Sequence, residues 1–509
     1  MSKQLRKVIK EWEKWNDGVV KTKHGDIYFY RNLYEGKHSE VFPRAEQLIK
    51  EGEIVDNIYD GRTKARMRTP YLVANFCKLI CEVPADMVSR AIGEITPSGL
   101  DDLEPGLGEE YEELLNNIVE LSNLEREHWT NILQQQLDGG LVGVPWKDED
   151  GTFIETKSRE VYFPHNDGKG VDLAYKREFD EKEDEEFLHV YRERVEQGDL
   201  TTEHKLFRIE NNNKLTELDE QEAMELLKMD YLKAEYSGRN KPFIVYWAND
   251  KTFMNPLGSS VLKNQGSKQD EINWVLTRNA IIYERNGKPR IAVSKEIFRA
   301  LQEKALDKYG DESKIDSRDL EVVTFNEEGK AMEVIQIDID KIGDVEWVKD
   351  LARMMFYETK TSGSAVDFED EHGSGNPQSG VAKFYDLFVS IVKAEKLAEE
   401  YVKFLQELLE NCLWLEHLEN EEIPVEKPEI ALRDIIPTSR QELVETEAEA
   451  FEKNIQSLYE TVKRLKPRDC PERINEEVEL IKEEQVEDTI GTDEGREAID
   501  RLMDREEEV

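Results

Sequence analysis

Residues 379–417 read SGVAKFYDLFVSIVKAEKLAEEYVKFLQELLENCLWLEH. The stretch holds no proline and, after Gly380, no glycine. Apolar side chains recur at Val381, Phe384, Phe388, Ile391, Val402, Leu405, Leu409 and Cys412, which predicts one unbroken helix about 60 Å long at about 1.5 Å per residue. A single domain rarely needs so long a rod, so the parts on either side of it decide what it is for.

Upstream, Thr361-Ser362-Gly363-Ser364 through Ser374-Gly375-Asn376-Pro377 is rich in small and acidic residues and reads as the most loop-like part of the central chain. Before it, Val345, Val348, Ala352, Met355 and Phe356 form the apolar seam of a helix beginning near Gly343. Further back lies a compact α/β insert. Its parts are a strand Pro289–Val293, a helix capped by Ser294 with Ile297, Phe298 and Leu301 on one face and closed by Gly310, and strands Leu320–Phe325 and Met332–Ile337. A helix from Ser259 to about Ile282 precedes the insert, and Gly266 inside it, at a cost of about 1 kcal/mol relative to Ala, implies close packing there. Downstream, a short extended link through Pro424, Pro428 and Pro437 leads to a helical tail over 439–509.

The first half of the chain changes character near residue 141. Leu5, Val8, Ile9 and Trp12 mark an amphipathic helix over 2–16 that ends at Gly18. Pro70 is expected to open a helix carrying Leu72, Phe76, Leu79, Ile80 and Val83, with Pro84 at its end. After an exposed loop over Leu100–Glu110, a third helix runs to about Gln136 and is closed by Gly139-Gly140. Residues 141–250 alternate β-branched and aromatic residues with turn signals, which predicts an antiparallel meander, with 188–195 and 205–209 as two arms of one hairpin.

Composition narrows the function. Over 509 residues, 69 basic and 112 acidic side chains leave a net charge of −43, so the averaged surface repels polyphosphate and argues against a tight DNA-binding protein. DNA as a passenger stays compatible with that charge, and so does an acidic protein whose charge only aids solubility. Cys77, Cys81, Cys412 and Cys470 are too few and too scattered to staple the chain and read as reduced core thiols. No apolar run approaches a membrane span, and the charged start MSKQLRKVIKEWEKW lacks the apolar core of a secretory signal, so the cytoplasm is the expected compartment.

Reactive constellations are missing from the sequence. It has no G-x-x-x-x-G-K-[ST], no H-E-x-x-H and no G-x-S-x-G, and its eight histidines are dispersed. Gly373 to Gly380 imitates a phosphate cradle but has neither the lysine nor the spacing, and reads as a loop before a helix cap. Asp148 with Asp150, and Asp338 with Asp340, are chance pairs in so acidic a chain. Arg62, Lys64, Arg66 and Arg68 read as a solvated loop or an ion-pairing surface rather than a phosphate site. The expectation is a protein without catalytic residues, cofactor or metal.

Several local segments fit one family. Tyr34-Glu35-Gly36-Lys37-His38, the 70–84 segment, Pro256-Leu257-Gly258-Ser259-Ser260 followed by Asp270-Glu271-Ile272-Asn273-Trp274, and Ser379-Gly380-Val381-Ala382-Lys383 resemble, in order and spacing over about residues 25–485, the portal proteins of long-tailed, siphovirus-type bacteriophages. The resemblance implies an α+β, predominantly helical, ring-forming fold. It divides the chain into a wing (1–257), a first stem helix (258–282), a clip (283–342), a second stem helix (343–360), a tunnel-loop region (361–378), a long wing helix (379–424), and a crown with C-terminal tail (425–509). It further implies a ring of twelve subunits at one capsid vertex through which double-stranded DNA is packaged and ejected.

The implied partners are the large terminase subunit, a head–tail adaptor, and the major capsid and scaffolding proteins, in a virion assembled in the host cytoplasm. Ser362, Gly363, Ser364, Ser374, Gly375 and Asn376 are the small polar candidates for the channel loop. Lys288, Arg290 and Lys295 are the candidates for clip contacts. An acidic phage scaffold or head–tail adaptor without a channel is the alternative; it has no need of an insert bracketed by two helices and followed by a rod.

Overall fold

The computed structural model describes residues 24–56, 69–98, 107–148, 151–179, 182, 185–210, 214–286, 290–293, 299, 302–307, 310, 332–335, 345–366, 380–435, 440–466, 473–475 and 477–482. In chain order the first elements are helices α1 (Asp26–Tyr34), α2 (His38–Val41), α3 (Pro43–Lys50) and α4 (Phe76–Ala91), strand β1 (Ile92–Thr96), and helices α5 (Leu107–Leu121) and α6 (Leu124–Asp138). Strands β2 (Gly140–Lys147), β3 (Thr152–Ser158), β4 (Tyr162–Pro164), β5 (Gly170–Arg177), β6 (Glu186–Glu196), β7 (Asp199–Glu210) and β8 (Lys214–Glu217) follow, then α7 (Glu220–Leu227), β9 (Lys233–Tyr236) and β10 (Val245–Ala248). The rest is α8 (Gly266–Asn286), β11 (Arg290–Val293), β12 (Met332–Ile335), α9 (Val345–Thr359), α10 (Gly380–His417), β13 (Glu429–Leu432), α11 (Arg440–Glu452) and α12 (Leu458–Leu465). The mixture of helix and antiparallel sheet is the expected α+β class.

Contacts divide the chain into two units, residues 1–373 with 386–435, and residues 374–385 with 436–509. In the first, α10 is the spine. Tyr401, Leu405, Leu408, Leu409, Cys412 and Leu413 are fully buried, and Trp247 of β10 lies against the rings of Tyr401 and Phe404, with centroids 5.1 and 5.7 Å away. The Tyr401 hydroxyl accepts from Asn131 Nδ2 and lies 2.9 Å from His128 Nδ1, so this buried hydroxyl is satisfied, while Trp247 Nε1 beside it is buried without a partner among the described residues. Burial pushes His128 down to about 4. Cys77, Cys81 and Cys412 are free and buried, as read from the sequence.

The meander is two sheets, one three-stranded in the order β10-β2-β3 and one six-stranded in the order β4-β5-β6-β7-β8 with β9 also on β7. The expected hairpin is β6 with β7, and Leu188 faces Phe207 across it while Tyr191 faces His204. Gly139 closes α6 at φ +80°, where a Cβ would come within 2.4 Å of the Ser259 backbone, so a turn and a close approach coincide at one glycine. The helix expected from Ser259 begins at Gly266, so that glycine is its first residue and carries no interior cost; it is nonetheless closely packed, and a Cβ there would sit 2.9 Å from the Phe29 ring.

Four other expectations need correction. The helix predicted from Pro70 begins at Phe76 and runs through Pro84 to Ala91. Residues before it are extended, and Ala85, Val88 and Ala91 beyond the proline are buried, so packing outweighs the one helical bond that proline cannot donate. The third helix is two, broken at Asn123 with φ +50°, a conformation that asparagine tolerates. The link through Pro428 contains β13, which pairs antiparallel with β1, Ile95 opposite Ile430. Val345, placed in the seam of α9, is half exposed; the buried seam is Val348, Leu351, Ala352, Met355 and Phe356.

The second unit is built on Val462, Ile474 and Val478, with Leu458, Tyr459 and Ile481 packed around them. Ser457 caps α12 by accepting from Glu460 N at 3.2 Å. Within the same unit, Gln456 Nε2 donates to Glu447 on α11 and to Thr461 on α12. The expected helix over 2–16, the start of the helix capped by Ser294, the strand Leu320–Phe325 and Cys470 lie outside the described residues.

Candidate functional site: a helical hairpin held by a polar ladder

Helices α8 and α9 run antiparallel. Glu358, in the last turn of α9, accepts from Lys268 Nζ at 2.8 Å and from Gln265 Nε2 at 3.1 Å at the start of α8. The bond to Lys268 holds the Glu358 carboxyl below the usual range. At about 1.5 Å per residue, the 21 residues of α8 and the 15 of α9 extend roughly 30 and 22 Å. Past their other ends, β11 and β12 form an antiparallel ribbon with Arg290 opposite Ile335 and Val293 opposite Met332. Residues 302–307 between the two strands are helical, and Gly310 N closes that turn on the Leu306 carbonyl at 2.8 Å. Between the two helices the described residues thus form a two-stranded ribbon and one helical segment.

α8 buries Ile272 and Val275 in the main apolar core, but the face it turns to the segment before α4 is polar. Gln269, Asn273 and Thr277 are fully buried and face the extended segment before α4. Thr277 Oγ1 accepts from Leu72 N at 2.9 Å, Asn273 Oδ1 from Ala74 N at 3.2 Å, and Gln269 Oε1 from Phe76 N at 3.2 Å. Gln269 Nε2 returns a bond to the Ala74 carbonyl at 2.7 Å. Rungs spaced by four on the helix thus meet amides spaced by two on the segment, with a tight turn at Asn75 (φ −82°, ψ 75°) in which Phe76 N also bonds the Ala74 carbonyl at 2.9 Å. This match gives Leu72 N and Ala74 N their partners on a segment whose Leu72 and Val73 side chains are exposed. Arg44 adds a cation–π contact over Trp274 at 4.0 Å and an ion pair with Glu271 at 3.5 Å.

The segment after α9 folds back onto α10. Lys360 takes φ +55°, and Thr361 N bonds the Phe356 carbonyl at 2.9 Å. Ser362 and Ser390 exchange bonds, Ser362 N to Ser390 Oγ at 2.6 Å and Ser390 N to Ser362 Oγ at 3.3 Å. Lys393 Nζ donates to the Thr359 carbonyl at 3.0 Å, and burial pushes its ammonium down to about 8.

This geometry corrects one channel candidate: Ser362 is buried and committed to Ser390, so its side chain is turned into the protein. Gly363 and Ser364 begin a short 3-10 turn, and Ser364 is exposed. Ser374, Gly375 and Asn376 lie outside the described residues, as do Lys288 and Lys295, along with Asp150, Asp338, Asp340 and the basic stretch from Arg62 to Arg68. Arg290 is in β11. Asp148 Oδ1 accepts from Gly151 N at 3.2 Å, and Asp148 N bonds the Gly151 carbonyl at 3.0 Å, so Asp148 serves a turn. Among the described residues no three His, Cys, Asp or Glu side chains gather as a metal site, and no helix is long and apolar enough to cross a membrane. The ladder itself was missed, although Gln265, Gln269, Asn273 and Thr277 recur every four residues. A polar column on a helix otherwise read as core-facing is the signal that would have found it.

No family model matches the chain, and no curated protein matches it. Among solved structures the chain is similar to one from the virion of the native gene transfer agent particle, at 12% identity and TM-score 0.44, covering 77% of this chain and 89% of that one. A chain from the neck of the native particle, computed with C12 symmetry, is 10% identical at TM-score 0.35, covering 77% of this chain and 89% of that one. A chain from the neck of the empty particle, computed with C6 symmetry, is 9% identical at TM-score 0.38, covering 77% and 90%.

Proposed function

We propose that the protein is the portal subunit of a tailed-phage-like particle, a ring whose central passage carries double-stranded DNA in during packaging and out during ejection. The observation that carries this reading is the hairpin: α8 and α9 antiparallel, joined at one end through the Glu358–Lys268 contact and at the other through a lobe containing the β11–β12 ribbon. A single chain has little use for a lobe on two helical stalks, whereas copies set side by side turn the stalks into a wall.

In this reading 1–257 and 379–424 form the wing, 258–282 and 343–360 the stem, 283–342 the clip, 361–378 the tunnel-loop region, and 425–509 the crown and tail. Twelve copies form the ring at one capsid vertex of the virion. Lys288, Arg290 and Lys295 belong to the clip that meets the terminase large subunit and later a head–tail adaptor. The wing meets capsid and scaffolding proteins. Gly363, Ser364, Ser374, Gly375 and Asn376 lie in the loop toward DNA.

The work is mechanical. A chain of net charge −43 makes a poor phosphate clamp, and weak contacts are what sliding requires; the free energy of translocation comes from the terminase. Electron microscopy of the purified protein tests the reading: end views are expected to show rings with a central hole. Compact monomers with nuclease or ATPase activity overturn it. An acidic scaffold or adaptor, the second reading, would leave the hairpin without a role.

A further inference from the structure

We propose that the proton state of His38 works a latch between the hairpin and the body of the chain. His38 is fully buried, and its Nε2 lies 2.7 Å from the Leu33 carbonyl. A carbonyl only accepts, so Nε2 carries the hydrogen and Nδ1 is left as an acceptor. That acceptor is filled by Asn273 Nδ2 at 2.8 Å, the middle rung of the α8 ladder.

The Asn273 amide cannot turn around. Its Oδ1 receives Ala74 N and, at 2.9 Å, Gln269 Nε2, while its Nδ2 also donates to the Tyr71 hydroxyl at 3.2 Å. A second proton on His38 would point Nδ1–H at the Asn273 NH2, donor against donor. Flipping the amide would answer His38 but set the NH2 against Ala74 N–H and Gln269 Nε2. Either way at least one bond of the ladder is lost.

The groups acting on His38 are the Leu33 carbonyl and the Asn273 and Asn75 side chains, with no carboxylate among them, and the Phe42 ring stands edge-on at 5.7 Å. On the packed elements Tyr71 shares the Asn273 amide with His38, and Asp270, Arg44 and Asp56 act on it, while the exposed Lys37–Glu35 pair lies beside His38 in sequence. With no carboxylate to hold the imidazolium, burial pushes His38 below its ordinary value of 6.5. The latch is therefore closed above that value and opens as pH falls through the lower folded-state value. It belongs to one chain and does not depend on ring formation.

Hydrogen–deuterium exchange on the full chain tests it through the amides of 69–76, corrected for intrinsic exchange. Protection there is expected to fall on the order of tenfold or more between pH 7 and pH 5, while 401–413 in the core of α10 keeps its protection. His38→Gln, which gains no proton in this range, is expected to show no such fall. Asn273→Asp, which accepts on both sides and can receive a doubly protonated His38, is expected to reverse the sign. Unchanged wild-type protection, a fall of equal size in His38→Gln, or a loss shared by 401–413 would each overturn the latch.

Discussion

The two long helices of the first unit share one apolar core, to which α8 gives Ile272 and Val275, but they differ in what else they bury. From Ile391 onward α10 buries hydrocarbon: Ala394, Leu397, Tyr401, Leu405, Leu408, Leu409 and Leu413 all lie at or below 6% exposure. On its body side α8 buries Gln269, Asn273 and Thr277, each at 0%, and every rung is paired to a backbone group. An apolar seam contributes in proportion to area and tolerates a small slide. A ladder of side chain to backbone bonds contributes little net free energy when whole, costs a good deal when one rung is broken, and has one register. The spine therefore supplies stability, and the stalk of the hairpin is held by position.

The largest effect is expected on the spine. Leu409→Ala removes a fully buried side chain and should lower unfolding free energy by about 2–5 kcal/mol, measured by denaturant unfolding of the full chain. A loss under about 1 kcal/mol would mean that α10 is not the main source of stability, and the contrast would fail. Next comes the ladder. Asn273→Leu keeps the size but strands Ala74 N–H and the His38 acceptor, at an expected cost of about 1–3 kcal/mol. The same substitution should raise amide exchange across 69–76, a readout that Leu409→Ala leaves to global unfolding.

How much of this was legible follows from where each signal sits. The spine could be read because its periodicity is local, and Gly139, the β6–β7 hairpin and the α9 seam could be read for the same reason. The segment from Pro70 was misread because its amides are bonded by Thr277, Asn273 and Gln269, about two hundred residues away in sequence; nothing near Leu72 announces an extended strap. The β1–β13 pairing escaped for the same cause, since Ile95 and Ile430 meet across most of the chain. Ser362 was read as an open loop residue by composition alone. Its partner Ser390 stands 28 residues on, at a helix position that carries no visible mark.

The sheet offers a pH comparison with the ladder. His189 Nε2 and His204 Nδ1 are 3.1 Å apart, and His189 Nδ1 meets the Tyr175 hydroxyl at 2.9 Å. Burial pushes His189 well below the ordinary value and His204 down to about 4. Their contribution is complete above about 6.5 and is lost as pH falls toward the folded-state values. Glu193, two residues from Tyr191, is pushed by burial up to about 7, so it works in the other direction: its contribution is full below the ordinary carboxyl value and is lost as pH rises through about 7. His204→Asn should lessen the drop in thermal midpoint between pH 7 and pH 5, and Glu193→Gln should deepen it. Equal slopes in all three proteins would show that the pair is not what the sheet feels.

The smallest effect is expected where the hairpin's helices meet. Glu358 is about half exposed while Lys268 is mostly covered, and the pair is supplemented by Gln265. Glu358→Gln keeps the size of the side chain and removes the charge, so the loss should be under about 1 kcal/mol, shrinking further in salt. The substitution is informative because Lys268 also reaches the Asn264 carbonyl at 3.1 Å and Gln265 Oε1 at 3.3 Å, and so keeps partners at the start of α8. A loss of several kcal/mol instead would mean that the near end of the hairpin, rather than the ladder, fixes where the stalk stands. The polar grip would then have to be reassigned from the strap at 72–76 to the turn of α9 that carries Glu358.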